Sequence, residues 1–243
     1  MKTNKLIINL SLVVLMGFIA NLASGCWAIP EDRSTGNFIK EERNVSNFSR
    51  LNVGGAFKVF LAQGDQEKIV IEADADEMKD IKTEVAGNTL KIYMDSQWSS
   101  RYHEITIWLT FKNLEKIDFS GAVEVESQGM LNFSELDMDI SGASEINLDM
   151  KADKMDAEFS GASEIDFSGT CTTGYFELSG ASEFNAEELE FQDLSIEVSG
   201  ASDARVWANG KLTIDASGAS DIRYKGTPNI SIDQSGASSV KPF

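Results

Sequence analysis

One corner motif, repeated seven times at nearly constant spacing, leaves this chain few ways to fold. Ser-Gly-Ala followed by Ser or Val occurs at Ser120-Gly121-Ala122-Val123, Ser141-Gly142-Ala143-Ser144, Ser160-Gly161-Ala162-Ser163, Ser179-Gly180-Ala181-Ser182, Ser199-Gly200-Ala201-Ser202, Ser217-Gly218-Ala219-Ser220 and Ser235-Gly236-Ala237-Ser238. The steps between copies are 21, 19, 19, 20, 18 and 18 residues. A unit this short cannot close a hydrophobic core of its own, so the copies must stack and share one.

The residues around each corner say what kind of stack. One, three and five places before the motif serine lie apolar residues: Ile140, Met138 and Leu136; Phe159, Ala157 and Met155; Val198, Ile196 and Leu194. After the motif the alternation resumes with Ile146 and Leu148, Ile165 and Phe167, Ala204 and Val206, Ile222 and Tyr224. A period of two marks a strand with one buried face. Each repeat therefore reads as strand, Ser-Gly-Ala corner, strand, then a variable polar corner such as Ser168-Gly169-Thr170 or Lys225-Gly226-Thr227-Pro228. No repeat holds the ten or more residues of helical periodicity that a helical solenoid needs. The expected fold is all-β, a parallel β-helix of about 18 to 21 residues per coil. The motif glycine takes either the positive φ of a tight corner or the space left for the backbone of the next coil.

Residues 45–119 are strand-rich without the motif, and the regular coils are expected over 120–243. Leu51 to Leu61, with Gly55-Ala56 at its centre, reads as a worn copy of the corner. Lys68-Ile69-Val70-Ile71-Glu72, Thr89 to Met94 and Ile105 to Phe111 are strand signals, separated by Gly64-Asp65 and Gly87-Asn88 turns. Asp76 to Val85 is expected to hold a short helix. This part reads as irregular opening coils, or as a β layer covering the first regular rung, which would otherwise be an exposed edge.

Residues 1–25 have Lys2 and Lys5, an apolar run from Leu6 to Ala20, then Leu22-Ala23-Ser24-Gly25 before Cys26. That is the layout of a bacterial lipoprotein signal, with Cys26 as the lipid anchor. The apolar run is shorter than the ~20 residues of a membrane span. Residues 26–44 read as a tether and 45–243 as a single β-helix domain. The expected location is the cell envelope, as an exported outer membrane lipoprotein touching the membrane through its lipid alone. A formal charge of -18 opposes binding to nucleic acid or to anionic lipid surfaces. Beyond Cys26 the only cysteine is Cys171, so packing rather than disulfides must stabilise the fold.

With these elements in order, the chain resembles the GIN domain, the head domain of auto-transporter adhesins common in Bacteroidetes envelope lipoproteins. The resemblance covers roughly residues 45–240. It rests on Val53-Gly54-Gly55, Ile69-Val70-Ile71, Gly87-Asn88-Thr89-Leu90-Lys91-Ile92 and the seven corners. It implies a right-handed parallel β-helix on the cell envelope with an adhesive role and a glycan or protein ligand at the cell surface. The family supplies no catalytic residues to carry over.

Candidate chemistry is sparse. Four residues after each motif serine stand Glu124, Glu145, Glu164, Glu183, Asp203 and Asp221, with Ser239 in the last copy. In-register coils would set these carboxylates in a ladder at ~4.8 Å spacing. The ladder reads either as a solvated face that keeps the stack soluble or as a rail for a basic ligand or for calcium, which favours carboxylate oxygen. No other cofactor is expected. The motif serines lack the glycine of a nucleophile elbow, and the single histidine, His103, has no His or Cys nearby to make a metal site. Glu72, Asp74 and Asp76 mimic the start of a calcium loop, but Glu77 stands where that loop needs glycine.

The sequence is thus read as a non-catalytic binding or structural module. One alternative is a polysaccharide lyase-like β-helix enzyme with Arg205 or Arg223 as base. Sugar-stacking aromatics for it would come from Trp98, Tyr102, Trp108, Trp207 and Tyr224. Another is a self-assembling scaffold, a homo-oligomer through the C-terminal coil, because only Lys241-Pro242-Phe243 follows the last corner strand.

Overall fold

The computed structural model describes residues 36–95 and 103–243. The signal segment, Cys26 and most of the tether lie outside the described residues, as do Trp98, Arg101 and Tyr102. Everything below belongs to the unit Asn37–Phe243.

The strands stack in parallel, coil upon coil. They are β2 (Arg50–Gln63), β7 (Lys116–Ser127), β8 (Leu131–Gly142), β9 (Glu145–Gly161), β10 (Glu164–Gly180), β11 (Glu183–Val198), β12 (Asp203–Ala216), β13 (Asp221–Lys225), β14 (Asn229–Gln234) and β15 (Ser239–Pro242). Each pairs with its counterpart one coil away, to give a parallel β-solenoid of about seven turns. Alternate side chains point inward, as the period of two requires. Ile140, Phe159, Leu178, Val198 and Ala216 fill one side of the core, and Ile146, Ile165, Phe184, Ala204 and Ile222 another. Phe159, Phe167, Phe176 and Phe184 pack ring to ring across the middle coils, with centroids 4.9 to 6.2 Å apart.

Both reasons for glycine at the corner hold together. Gly142 and Gly161 have φ of 107° and 114°. A Cβ on either would lie 2.2 Å from the carbonyl oxygen of the corner glycine one coil below. Only glycine fits a backbone that turns left-handed while another backbone passes this close. The next residue closes the contact: Ala143 N donates to Gly121 O at 2.8 Å, and Ala162 N to Gly142 O at 2.9 Å.

The N-terminal part departs from chain order. The worn copy in β2 belongs to the regular stack, with Gly55 opposite Gly121 and Ala56 opposite Ala122, so the corner series begins well before residue 120. From β2 the chain doubles back to build its own cover. β5 (Thr89–Met94) and β6 (Thr106–Phe111) pair in parallel with the other edge of β2. Beyond them, β4 (Ile81–Ala86), β3 (Lys68–Asp74) and β1 (Phe38–Arg43) add antiparallel strands. The first rung is therefore covered, which removes a hydrogen-bonding edge.

Two expectations need correction here. The tether ends before residue 44, because Phe38–Arg43 pairs with β3 as a highly charged edge strand. The helix expected over 76–85 reduces to one 3₁₀ turn, Glu77–Lys79, before β4 begins. Met78 and Ile81 are buried there, and burying them on a strand-rich wall outweighs the weak helical pattern. Among the described residues no helix is long and apolar enough to cross a membrane.

Candidate functional site

The carboxylates expected four residues after each corner do form a ladder. Glu124 faces Glu145, Glu145 faces Glu164, Glu164 faces Glu183, Glu183 faces Asp203 and Asp203 faces Asp221, each on the outer side of neighbouring strands. Bases break the run at both ends. Lys58 stands opposite Glu124, forms ion pairs with Glu124 and Glu126, and has its pKa raised by those hydrogen bonds. Arg205 Nη1 lies 2.6 Å from Glu183 Oε1, and Asp221 has Arg223 at 3.5 Å and Lys241 at 3.9 Å. Those bases share the neighbouring outward column, which runs Glu126, Asn147, Asp166, Asn185, Arg205, Arg223, Lys241.

A second and longer ladder lies on the strand face before the corner. Asp118, Asp139, Glu158, Glu177, Glu197, Asp215 and Asp233 stand in register, each two residues before a motif serine. Its first members have partners: Asn52 Nδ2 donates to Asp118 Oδ2 at 2.8 Å, and Lys116 Nζ is 2.5 Å from Asp139 Oδ2. Lys116 has its pKa raised, first by the hydrogen bond to Asp139. Among the described residues no base lies within ion-pair distance of Glu158, Glu177, Glu197, Asp215 or Asp233. Asp139 to Asp215 line a shallow groove of about 430 Å³, with the serines Ser141, Ser160, Ser179, Ser199 and Ser217 along its other wall. Adjacent carboxylates at ~5 Å repel by about 1 kcal/mol per pair even in water. The signal was present in the sequence as an acid two places before all seven motif serines.

Residues 47–228, which hold the corners from Ser120 to Ser220, the whole first ladder and the second ladder as far as Asp215, match the family model described as putative auto-transporter adhesin, head GIN domain. This chain belongs to the GIN-domain family. Solved structures share its architecture. A putative adhesin from Bacteroides fragilis has a TM-score of 0.81 at 21% identity, over 85% of this chain and 97% of its own. A putative adhesin from Parabacteroides distasonis gives 0.69 at 18% identity, over 86% and 98%. A putative lipid binding protein from the same species gives 0.66 at 21%, over 86% and 98%. At such identities the likeness concerns the fold. No curated protein matches the chain.

Elsewhere the GIN domain brings little chemistry together. Among the described residues no three His, Cys, Asp or Glu side chains converge to hold an ion. Asp74 accepts hydrogen bonds from the backbone of Asn37 and Asp76, and Glu72 pairs with Lys40 at 3.2 Å, so this acidic run serves strand β1 and its turn. His103 lies edge-on to Phe38 and 3.7 Å from Glu77, a packing position. The hydroxyls of Ser141, Ser160, Ser179 and Ser199 donate to a backbone carbonyl of the previous coil, as Ser160 Oγ does to Ile140 O at 3.4 Å. Trp108 stacks on Phe60 with Lys40 over its ring, Trp207 is covered by Lys225, and Tyr224 packs against the core. Tyr175, 47% exposed and with Lys154 over its ring, lies on the same strand face as the groove. Burial pushes the Cys171 thiol up to about 12, so it is no nucleophile.

Proposed function

We propose that this GIN domain is a non-catalytic binding module of the cell envelope, anchored in the outer membrane through a lipid on Cys26. Its ligand, a surface glycan or protein, lies along the groove of Asp139, Glu158, Glu177, Glu197 and Asp215. The observation that carries this reading is the second ladder: a flat row of carboxylates on a rigid parallel sheet, most of them without cations of their own. A row of like charge keeps its electrostatic cost until a ligand of opposite sign covers it. The ligand class is therefore one bearing amines or guanidinium groups, such as amino sugars or a basic protein segment. Uronate and sulfate polymers are repelled.

A lyase reading loses one of its two candidate bases. Arg205 has its pKa raised, first by its hydrogen bond to Glu183, which is the opposite of what proton abstraction needs. Calcium enters as a counterion spread along the ladders, because no ion-sized cage is formed among the described residues. Calcium and magnesium at matched ionic strength should then raise the melting midpoint equally.

The test is a glycan and matrix-protein array probed with the full chain, beside E158Q/E177Q/E197Q and the other-face variant E145Q/E164Q. A loss of binding of tenfold or more in the first variant alone supports the assignment. No ligand at physiological ionic strength, or equal behaviour of the two variants, overturns it.

A further inference from the structure

The last serine of each motif does not face solvent. Ser144, Ser163 and Ser182 are 5%, 4% and 3% exposed, on the same inward alternation as Ile146, Ile165 and Phe184. Their coils are adjacent and in register, so the three hydroxyls form one internal column. None of the three has a hydrogen-bond partner within the protein. In the following coils the same position is satisfied. Ser202 Oγ donates to Ser199 O at 3.3 Å and accepts from Ser182 N at 3.3 Å, while Ser220 and Ser238 donate to Ser217 O and Ser235 O at 2.6 and 2.8 Å. In the coils below, the column is apolar, held by Phe57 and Val123.

We propose that Ser144, Ser163 and Ser182 hold a file of internal water molecules, one bridging each pair of neighbouring hydroxyls. A buried hydroxyl without a partner is costly, and buried water is its usual remedy in a polar site. The spacing of the coils suits the bridge. Hydroxyls one coil apart, at ~4.8 Å, are too far for a direct bond. Two bonds of about 2.8 Å to a shared water span that distance at an angle of roughly 118°, close to tetrahedral. Serine is smaller than the valine at Val123, so the side chains fill less of the column in these coils. Exchange with solvent has a short path, since the corner over the column carries only the exposed Gly142-Ala143 and Gly161-Ala162. The file makes the middle coils a hydrated seam between an apolar base and directly bonded upper coils, and it penalises any slip that would set Ser144 on a valine or phenylalanine.

A crystal structure of the protein at about 1.5 Å, with melting curves of S163V, tests the file. Valine is already housed in this column at Val123, so the variant is expected to fold. Ordered water within hydrogen-bond distance of Ser144 and Ser163, and of Ser163 and Ser182, is the expected result. S163V should then melt a few degrees lower, because the remaining waters lose a partner. The proposal is overturned if the column is dry and the hydroxyls turn onto Ser141 O, Ser160 O and Ser179 O. It is equally overturned if S163V melts at the same temperature or higher, as relief of a dry buried hydroxyl would give.

Discussion

The two strand faces that meet at the Ser-Gly-Ala corner come from the same repeat, and both carry a ladder of acids, yet they treat their charge differently. After the corner, Glu124, Glu183 and Asp221 of the first ladder pair with Lys58, Arg205, Arg223 and Lys241, while Glu145, Glu164 and Asp203 have no base within ion-pair distance among the described residues. Before the corner, the ladder from Asp118 to Asp233 has Lys116 at its start and runs on through five carboxylates without a base in ion-pair range among the described residues. The stack itself requires neither pattern, since outward positions of a solenoid strand are free. Half of the first ladder is compensated by bases of the chain itself, so the longer uncompensated run on the other face is the one that calls for something outside the chain. The difference between faces, more than the acidity of either, is the ground for the proposed ligand position.

The largest expected effect comes from the edge the two faces share. Gly161→Ala would put a Cβ 2.2 Å from Gly142 O at a φ of 114°. Both ladders depend on that contact for their register. A loss of about 3 kcal/mol or more is expected in urea denaturation, because strain and backbone displacement add. Gly87→Ala is the internal control: its φ is 65° but nothing lies within 4 Å. It should cost only about 1 kcal/mol. Equal losses would mean that corner crowding does not hold the faces in register.

The faces themselves are separated by charge reversal. Glu177→Lys replaces a carboxylate flanked by Glu158 and Glu197, turning two repulsions into attractions. About 1 kcal/mol of stabilisation is expected at low salt. Glu183→Lys gains against Glu164 and Asp203 but loses the bond to Arg205, and the two should nearly cancel. In 0.5 M salt both variants should melt like the parent, since screening removes the contrast. A Glu183→Lys gain as large as that of Glu177→Lys would erase the distinction between the faces.

How much of this was legible follows from what each position has to satisfy. Inward residues such as Ile140, Phe159 and Ile196 announce themselves because burial demands apolar side chains at every second place. The first ladder could be read because it directly follows the repeated Ser-Gly-Ala corner motif. The second fills the polar slots between two buried columns, where no packing rule applies, and it emerges only when the copies are aligned and the gaps inspected. The inward serine of the motif was equally open to reading, since Ser144 lies two residues before Ile146 and so shares its parity. The doubling back after β2 was not readable. Leu51 pairs with Ile117, and nothing local to either segment states that strands β3 to β6 between them build the layer beneath. Chain proximity suggests neighbours, whereas covering an exposed first rung favours a return past it.

The smallest expected effect concerns Lys116, the one base among the described residues that serves the second ladder. Its ammonium reaches Asp139 at 2.5 Å and Asp137 at 3.2 Å, and the pair is half open to solvent. Lys116→Met should therefore cost no more than about 0.5 kcal/mol near neutral pH. Its pH dependence is more diagnostic than its size. The folded pKa is raised above the unfolded one, so the contribution is complete below the ordinary lysine pKa. It is lost as the pH rises through the raised value, because the folded state then gives up a proton it had held more tightly. Parent and variant should differ near neutrality and converge in strong alkali, provided melting is compared at matched ionic strength. A gap that persisted there would mean that Lys116 supports the fold through its aliphatic stem rather than its charge. The second face would then have no compensation at all, and the contrast between the two ladders would be sharper than the ion pairs alone suggest.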